Sequence, residues 1–537
     1  MNLKLYRTIF SATILQKTAL NVGGSESDSS SSATFRDGNG RLTIPATGVA
    51  GAFIETAMRL FPEIETSDES NNVEGFKWEH LSGKRRGKSI GDTLSAFNFE
   101  NVHLVYEENN KNKATEMRQG VGINAFTGTS ADKSLFEYEI VPAGTKWKLF
   151  LEVDTSRTGL TGEYVAALVL NEWEKGYGWF GKNNARGCGW FELQDIKVLE
   201  LPLTPQTLEA WPDSSETFEK SLNKIKESGF SKDIPFSELV KNAKIQLADK
   251  LSSDWHYIKL SYSIEPGKSS DGYGCDFLQS GGHAANADYS LEENVLNSMI
   301  IPPCLKSENA KTKSKYLNNL EMDKPFPMTY YKDGNYKPFL PGSTVRGAFR
   351  SKISELKRGK NKRNNNDNNI FYGVLDPNCK SKLESGKFTL GELEKLLGIA
   401  IQRKKSENEN NNDDIYSSRI LVSDAMLTDD QKFSLVQLEQ HTEDEFCAGV
   451  YGSGKFDCTL LVKGKLTFDF IIEGCSKESV MNDYNFINET LKLAEKGWVP
   501  IGGGVYKGFG WLKWICNHKT IRKIADDNAG ILEDNNE

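Results

Sequence analysis

The chain is short of several things a sequence can advertise. In its 537 residues there is no apolar run of about 18, the length a membrane helix needs, so no membrane partner is expected. The start, MNLKLYRTIFSATI, lacks the charged head, apolar core and small-residue cleavage site of a signal peptide and alternates like a strand instead. Six histidines are scattered without HExxH spacing, and no paired-carboxylate or Ser-His-Asp arrangement is present. Eight cysteines include no CxxC pair, which fits free thiols in a reducing cytoplasm. Cys275, His283 and Cys304 are spaced too loosely for a zinc site to be preferred over incidental thiols. A net charge of -8 argues mildly against a nucleic-acid binder. The charge is uneven, however. GKRRGK from Gly83 and LKRGKNKR from Leu356 are basic, whereas EIETSDES from Glu63 and DDNAGILEDNNE from Asp526 are acidic.

What the chain does have, it has twice. LKLYRTIFSATILQKTALNVGG near the start and IKLSYSIEPGKSSDGYGCDFLQSGG from Ile258 are each an alternating strand and a loop ending in Gly-Gly. FRDGNGRLTIPATGVAGAF places Asp37 eight residues before Pro45, and YKDGNYKPFLPGSTVRGAF places Asp333 eight before Pro341. FGKNNARGCGWFEL and IGGGVYKGFGWLKW then close the two copies. Three landmarks recurring in one order indicate an internal duplication, with insertions in the second copy.

Each copy reads as strand, loop, short strand, helix, mixed middle, glycine loop and final strand. This predicts an α+β fold: two tandem ferredoxin-like sheets with insertions. The expected domains are 1–201 and 256–520, joined by a helical connector over 202–255 and followed by an acidic tail over 521–537. Low-complexity insertions about 356–369 and 403–414 are expected to be disordered.

Several elements could hold an anion. Helix N-termini present unpaired N–H groups at the positive end of a dipole. At the second helix start Ser343 and Thr344 could cap or bond a phosphate oxygen, and Arg346 and Arg350 lie four apart on one face. At the first, Thr47 is expected to keep the cap beside Gly48, but Val49 and Phe53 replace the arginines. The closing loops set Lys182, Arg186 and Gly187 in one copy, and Lys507 and Gly508 in the other, among glycines that let backbone approach a ligand. Neither loop fits a Walker pattern, since a strand follows each. In the first middle segment Arg118, Asn124, Thr127 and Thr129 punctuate a strand–turn–strand stretch in which Phe126 could stack on bases. Arg419 and His441 occupy comparable places in the second copy. Acids also mark the loops after Gly-Gly: Asp28 in the first copy, Asp288 and Asp323 in the second. A loop carboxylate can hold a divalent cation or orient a 2′-hydroxyl for RNA cleavage, although most such acids are merely solvated.

Taken together, these stretches resemble the RAMP superfamily of CRISPR RNA-binding proteins, specifically the backbone subunits of type III effector complexes. GVGINAFTGTSADKSLF, NNARGCGWFEL, FLPGSTVRGAFRSKI, SSRILVSDA and GGGVYKGFGWLKW carry the resemblance, over roughly residues 1–200 and 256–516. It implies a modified RNA-recognition fold with a hairpin thumb, and a fused pair of subunits like the double backbone protein of subtype III-D, acting in antiviral defence. It implies guide RNA, complementary target RNA and other complex subunits as partners. It also implies cleavage of target RNA at a loop aspartate with a divalent cation, Mg2+ or Mn2+: Asp28 in copy one, and Asp323 or Asp288 in copy two, with Asp28 and Asp323 as metal ligands. A non-catalytic architectural subunit is the competing expectation. A guide-processing nuclease of this superfamily needs an N-terminal histidine, and the first histidine here is His80, outside any matched motif.

Overall fold

The computed structural model describes residues 6–23, 32–62, 78–83, 94–105, 115–123, 130–202, 218–227, 229, 231–251, 253–267, 277–280, 298–299, 326–330, 335–363, 370–372, 389–401, 414–427, 432–443 and 450–532. Alternation builds the first sheet. In the third strand, Lys146–Asp154, Trp147, Leu149, Leu151 and Val153 are buried and every other residue is not. This strand pairs antiparallel with the opening strand Tyr6–Gln16, Phe10 lying opposite Leu151. The opening strand's other edge takes the closing strand Trp190–Pro202, again antiparallel. Short strands Phe97–Phe99 and Val102–Leu104 flank the third strand. The order is therefore closing, opening, third, second, which is the ferredoxin-like βαββαβ sheet.

The second domain repeats it. Its opening strand His256–Ile264 lies between the third strand Leu466–Gly474 and the closing strand Ile515–Lys523, both antiparallel. Ile420–Val422 and Ala425–Leu427 flank the third strand. Even the irregularity recurs: pairing with the closing strand shifts register between Ser11 and Thr13, and between Ser261 and Tyr262. The chain is an α+β protein of two tandem domains.

Helices cover one face of each sheet. In Ala46–Leu60 the buried Val49, Ala52, Phe53, Thr56, Ala57 and Leu60 follow the three-and-four spacing of an amphipathic helix. Phe53 meets Phe97 at 5.2 Å and Trp173 edge-on at 6.1 Å. Trp173 ends the second helix, Thr155–Glu174, which Asp154 caps by accepting from Ser156 N. The second domain places Gly342–Arg363 and Lys477–Glu495 correspondingly, the latter capped by Ser476. Between second and third strands each domain inserts a separate hairpin: Glu116–Ile123 with Ser130–Ile140, and Ser434–Glu443 with Val450–Lys463.

Three local expectations change. Residues 356–363, expected within a disordered insertion, continue the helix instead. The connector does more than join: Lys232–Ile234 adds a strand to the first sheet's edge, and Leu239, Val240 and Ala243 of helix Phe236–Gln246 enter the first core. The tail's start is structural as well. Thr520 and Ile521 pair with Gly530–Ile531, and Asp527 bridges Lys175 and Lys244 of the first domain and connector.

The two domains share a closed interface. Arg522 makes a bidentate pair with the fully buried Glu172, at 2.8 and 2.6 Å. Arg59 meets Glu473 at 3.0 Å and lies over the rings of Trp179 and Trp255. Tyr177 and Tyr257 approach to 4.6 Å, and Tyr257, Leu421, Ile471 and Ile524 join the first domain's core.

Candidate functional site

The two closing loops have one backbone. In the first, Gly181, Asn183, Gly187 and Gly189 take φ of 88°, 62°, 98° and 78° around a 3-10 turn at Asn184–Arg186. In the second, Gly502, Gly504, Gly508 and Gly510 take 89°, 64°, 90° and 75° around Val505–Lys507. A tryptophan indole locks each turn at 3.0 Å, Trp190 to Asn184 O and Trp511 to Val505 O. The glycine pattern in the sequence is thus a backbone requirement, and positive φ is what glycine supplies cheaply.

Surroundings distinguish them. The first loop closes on the second domain's helix start. A Cβ on Gly187 would lie 2.5 Å from Asp424 Oδ1, and one on Gly342 would lie 2.9 Å from Arg186 O. Asp424, at the end of Ile420–Val422, accepts from Gly342 N at 2.8 Å. Its other oxygen meets Arg118 of the first domain's hairpin at 2.8 Å, and Arg118 lies over Phe339 at 4.4 Å. Burial pushes the Asp424 carboxyl up, while Arg118 and the Gly342 N–H hold it down. Neighbouring groups are driven toward neutrality: burial raises Tyr138 and Cys188 each to about 12.

Beside this lock lies a cluster of cations. Arg186 is exposed on the loop, Arg350 is partly exposed, and Arg346 is buried. Arg346 donates to Leu397 O and, at 3.3 Å, to Ser418 Oγ, while its Nε finds no acceptor among the described residues. Arg350 meets the buried Glu394 at 3.7 Å. Burial, then the charges of Arg350 and Arg186, depress Arg346 to about 9. Burial and Arg186 also lower Arg350, against the pull of Glu394. Among the described residues, Arg350 meets a carboxylate whereas Arg346 has the neutral acceptors Leu397 O and Ser418 Oγ, so the cluster carries more positive than negative charge.

Other expected residues are distributed. Ser343 and Thr344 sit half-buried in the first turn, but Asp424 supplies the cap. Thr47 and Gly48 are exposed at the first helix start, and Thr47 is not its cap: Ala46 N donates to Asn101 Oδ1 at 2.9 Å. The cause is one of position, since Thr47 already lies inside the helix that Pro45 precedes. Lys182 is exposed and reaches Ser32 Oγ at 3.2 Å, its side chain lying against Gly23. Arg419 faces Asp483 at 2.9 Å on the helix side of the second domain. Lys507 donates to Gln440 at 2.8 Å, on the strand that carries the exposed His441. Arg118 is enclosed in the domain junction rather than presented on the hairpin surface.

Asp28, Asp288, Asp323, Asn124, Phe126, Thr127 and Thr129 lie outside the described residues, as do Cys275, His283 and Cys304. Among the described residues no cluster of three His, Cys, Asp or Glu could hold a metal ion, and no helix is long and apolar enough to cross a membrane. The segment bearing Asp28 does leave and re-enter the described structure at Gly23 and Ser32, both beside Lys182 of the first glycine loop.

Asp424 and Asn101 escaped the sequence reading. The signal for Asp424 was present in SSRILVSDA, a carboxylate two residues past a buried strand, but its partners come from three distant segments. A family model described as RAMPs, RAMP superfamily, matches residues 17–192 and again residues 328–513. No curated protein matches the chain.

Proposed function

From the premise that this chain belongs to the RAMP superfamily, with both of its domains matched, we propose that it is an RNA-binding backbone subunit of a type III CRISPR ribonucleoprotein. In this reading it is a fused pair of subunits of the subtype III-D kind, holding guide RNA along its glycine loops and helix starts. One observation carries the reading: the first glycine loop closes on the second helix start and gathers Arg186, Arg346 and Arg350, of which Arg350 alone meets a carboxylate, Glu394, among the described residues. A phosphodiester backbone supplies the charge that cluster lacks, and guanidiniums suit phosphate oxygens geometrically. Base pairing within the ribonucleoprotein reads sequence, while the protein reads backbone and shape.

The proposal extends to cutting of guide-paired target RNA at the loop aspartates Asp28 and Asp323, with Asp288 as the second-domain alternative. A divalent cation, Mg2+ or Mn2+, held by these carboxylates would stabilise charge on the scissile phosphate. Support comes from the Asp28 segment's anchoring at Gly23 and Ser32, next to Lys182 on the proposed guide path. The chain's own contribution is to fix the backbone: Lys182 N donates to Asn21 O at 2.8 Å, tying the glycine loop to the strand end that launches the acidic segment.

The test uses the assembled ribonucleoprotein with a complementary target RNA. Asp28→Ala, Asp288→Ala and Asp323→Ala are made singly, and target binding and cut positions are mapped with Mg2+ or Mn2+. The expected outcome is loss of the cut belonging to each active loop, with binding unchanged. An unaltered cut ladder rules out cleavage by these acids and leaves a non-catalytic architectural subunit.

A further inference from the structure

The base of the first hairpin has two faces, and each holds the edge of an acid-bearing segment. Adjacent strand residues point to opposite sides of a hairpin. In Glu116–Ile123 paired with Ser130–Ile140, Glu116 lies opposite Ile140, and Met117 opposite Glu139. Glu116 and Arg118 therefore share one face with Ile140, and Glu139 lies on the other.

The Glu139 face gathers both ends of the segment that carries Asp28. On the leaving side, Asn21 Nδ2 donates to Glu139 O at 2.6 Å. On the returning side, Glu139 N donates to Ser32 O at 3.0 Å, Thr34 N to Glu139 Oε2 at 2.8 Å, and Arg36 Nη2 to Glu139 Oε1 at 2.7 Å. The two ends also pair with each other, Gly23 with Thr34, and Phe35 N donates to Val22 O at 2.9 Å. One glutamate thus ties the strand ends on either side of residues 24–31.

The second domain lacks this glutamate. Leu20 and Val141 exchange backbone hydrogen bonds, and Leu278 and Leu461 do the same. Two residues before Val141 stands Glu139, and two before Leu461 stands the buried Thr459. A threonine hydroxyl has no second oxygen with which to accept an amide and a guanidinium together. The first hairpin's other face meets the second domain's segment instead. Thr329, on the strand Met328–Tyr330 that follows the segment bearing Asp323, is fully buried and donates to Glu116 Oε2 at 3.1 Å. Glu116 is buried as well, so the bond is removed from water, where it is strongest. The same strand pairs with Tyr336–Leu340, whose Phe339 ring lies under Arg118.

We propose that Glu139 and Glu116 are positioning residues for cleavage, Glu139 for the first domain's acid and Glu116, across the junction, for the second's, a role that rests on these segments carrying the cutting acids. The second domain's cut then depends on a residue of the first domain, whereas the first domain's cut is independent of the Glu116–Thr329 bond.

The test uses the assembled ribonucleoprotein with complementary target RNA and Mg2+ or Mn2+, and reads the rate of each cut. Cuts are assigned to domains by their loss in Asp28→Ala and in Asp323→Ala or Asp288→Ala. Glu116→Ala and Thr329→Val are each expected to slow the second-domain cut by up to roughly a hundredfold, as a misplacement of about 1 Å does. The first-domain cut and target binding stay unchanged in both. Glu116→Gln, which still accepts from the Thr329 hydroxyl, keeps the second-domain cut near its unaltered rate. Glu139→Ala makes the opposite selection and slows the first-domain cut alone. Slowing of both cuts together, weakened target binding, or cuts unchanged in every glutamate variant overturns the proposal. Cleavage at the aspartates then stands, because the aspartate variants still remove their cuts. If only one domain cuts, the assignment for the other is overturned. Aspartate variants that leave the ladder unaltered overturn the cleavage reading and the proposal with it.

Discussion

A guanidinium sealed from water keeps its place because a carboxylate meets it there. Arg118 and Asp424 are 7% and 0% exposed, come from different domains, and answer one another at 2.8 Å. Removing one partner of such a pair strands the other, which typically costs about 3–5 kcal/mol. Arg118→Ala is therefore expected to lower stability by about that amount in chemical denaturation. Adding Asp424→Asn should restore part of the loss, since asparagine has no charge to strand and still accepts from Gly342 N–H. A double-mutant cycle over the four proteins isolates the coupling. If the pair of changes costs the sum of the single ones, the two residues do not act as a lock.

At the scale of elements, the glycine loops carry most of the argument. Gly187 holds φ 98° and leaves no room for a methyl group against Asp424. Gly187→Ala should cost about 1–3 kcal/mol through backbone conformation, with the steric displacement of Asp424 added. The readout is limited proteolysis, with cleavage in the connector 202–255 appearing at lower protease concentration than in the unaltered protein. Much at this scale was legible beforehand. Strand patterning and glycine spacing report on local backbone: the closing loops recur with matched φ, and the opening and closing strands pair with matched register shifts. What was not legible depends on docking. Thr47 has the composition of a cap but lies two residues past the cap position at Pro45, and the first helical N–H is met by Asn101, far along the chain. Arg118 looked like a surface cation on a hairpin because nothing local reveals that a second domain covers it. The acidic loops remain readings of the sequence alone.

For the whole molecule, a net charge of -8 coexists with a concentrated basic junction. Binding of RNA at such a junction should depend on salt through the few phosphates it neutralises, not through overall charge. For single-stranded RNA each neutralised phosphate contributes about 0.7 to the slope of log affinity against log salt. Arg186→Ala is expected to reduce that slope by about 0.7 in a filter-binding titration from low to moderate salt, with stability unchanged because Arg186 is exposed. An unchanged slope means this residue does not touch phosphate.

The pairing of Glu172 with Arg522 also sets a clock. The two are 350 residues apart, and Glu172 lies fully buried within the helix that precedes the first domain's glycine loop and closing strand. At about 5–20 residues per second a ribosome needs roughly 20 to 70 s to travel from one to the other. For that interval the emerging first domain holds an acid whose counter-charge has not been made, as Arg59 waits for Glu473 and Arg118 for Asp424. The first domain of this chain reaches its finished electrostatics only when synthesis of the second is nearly over.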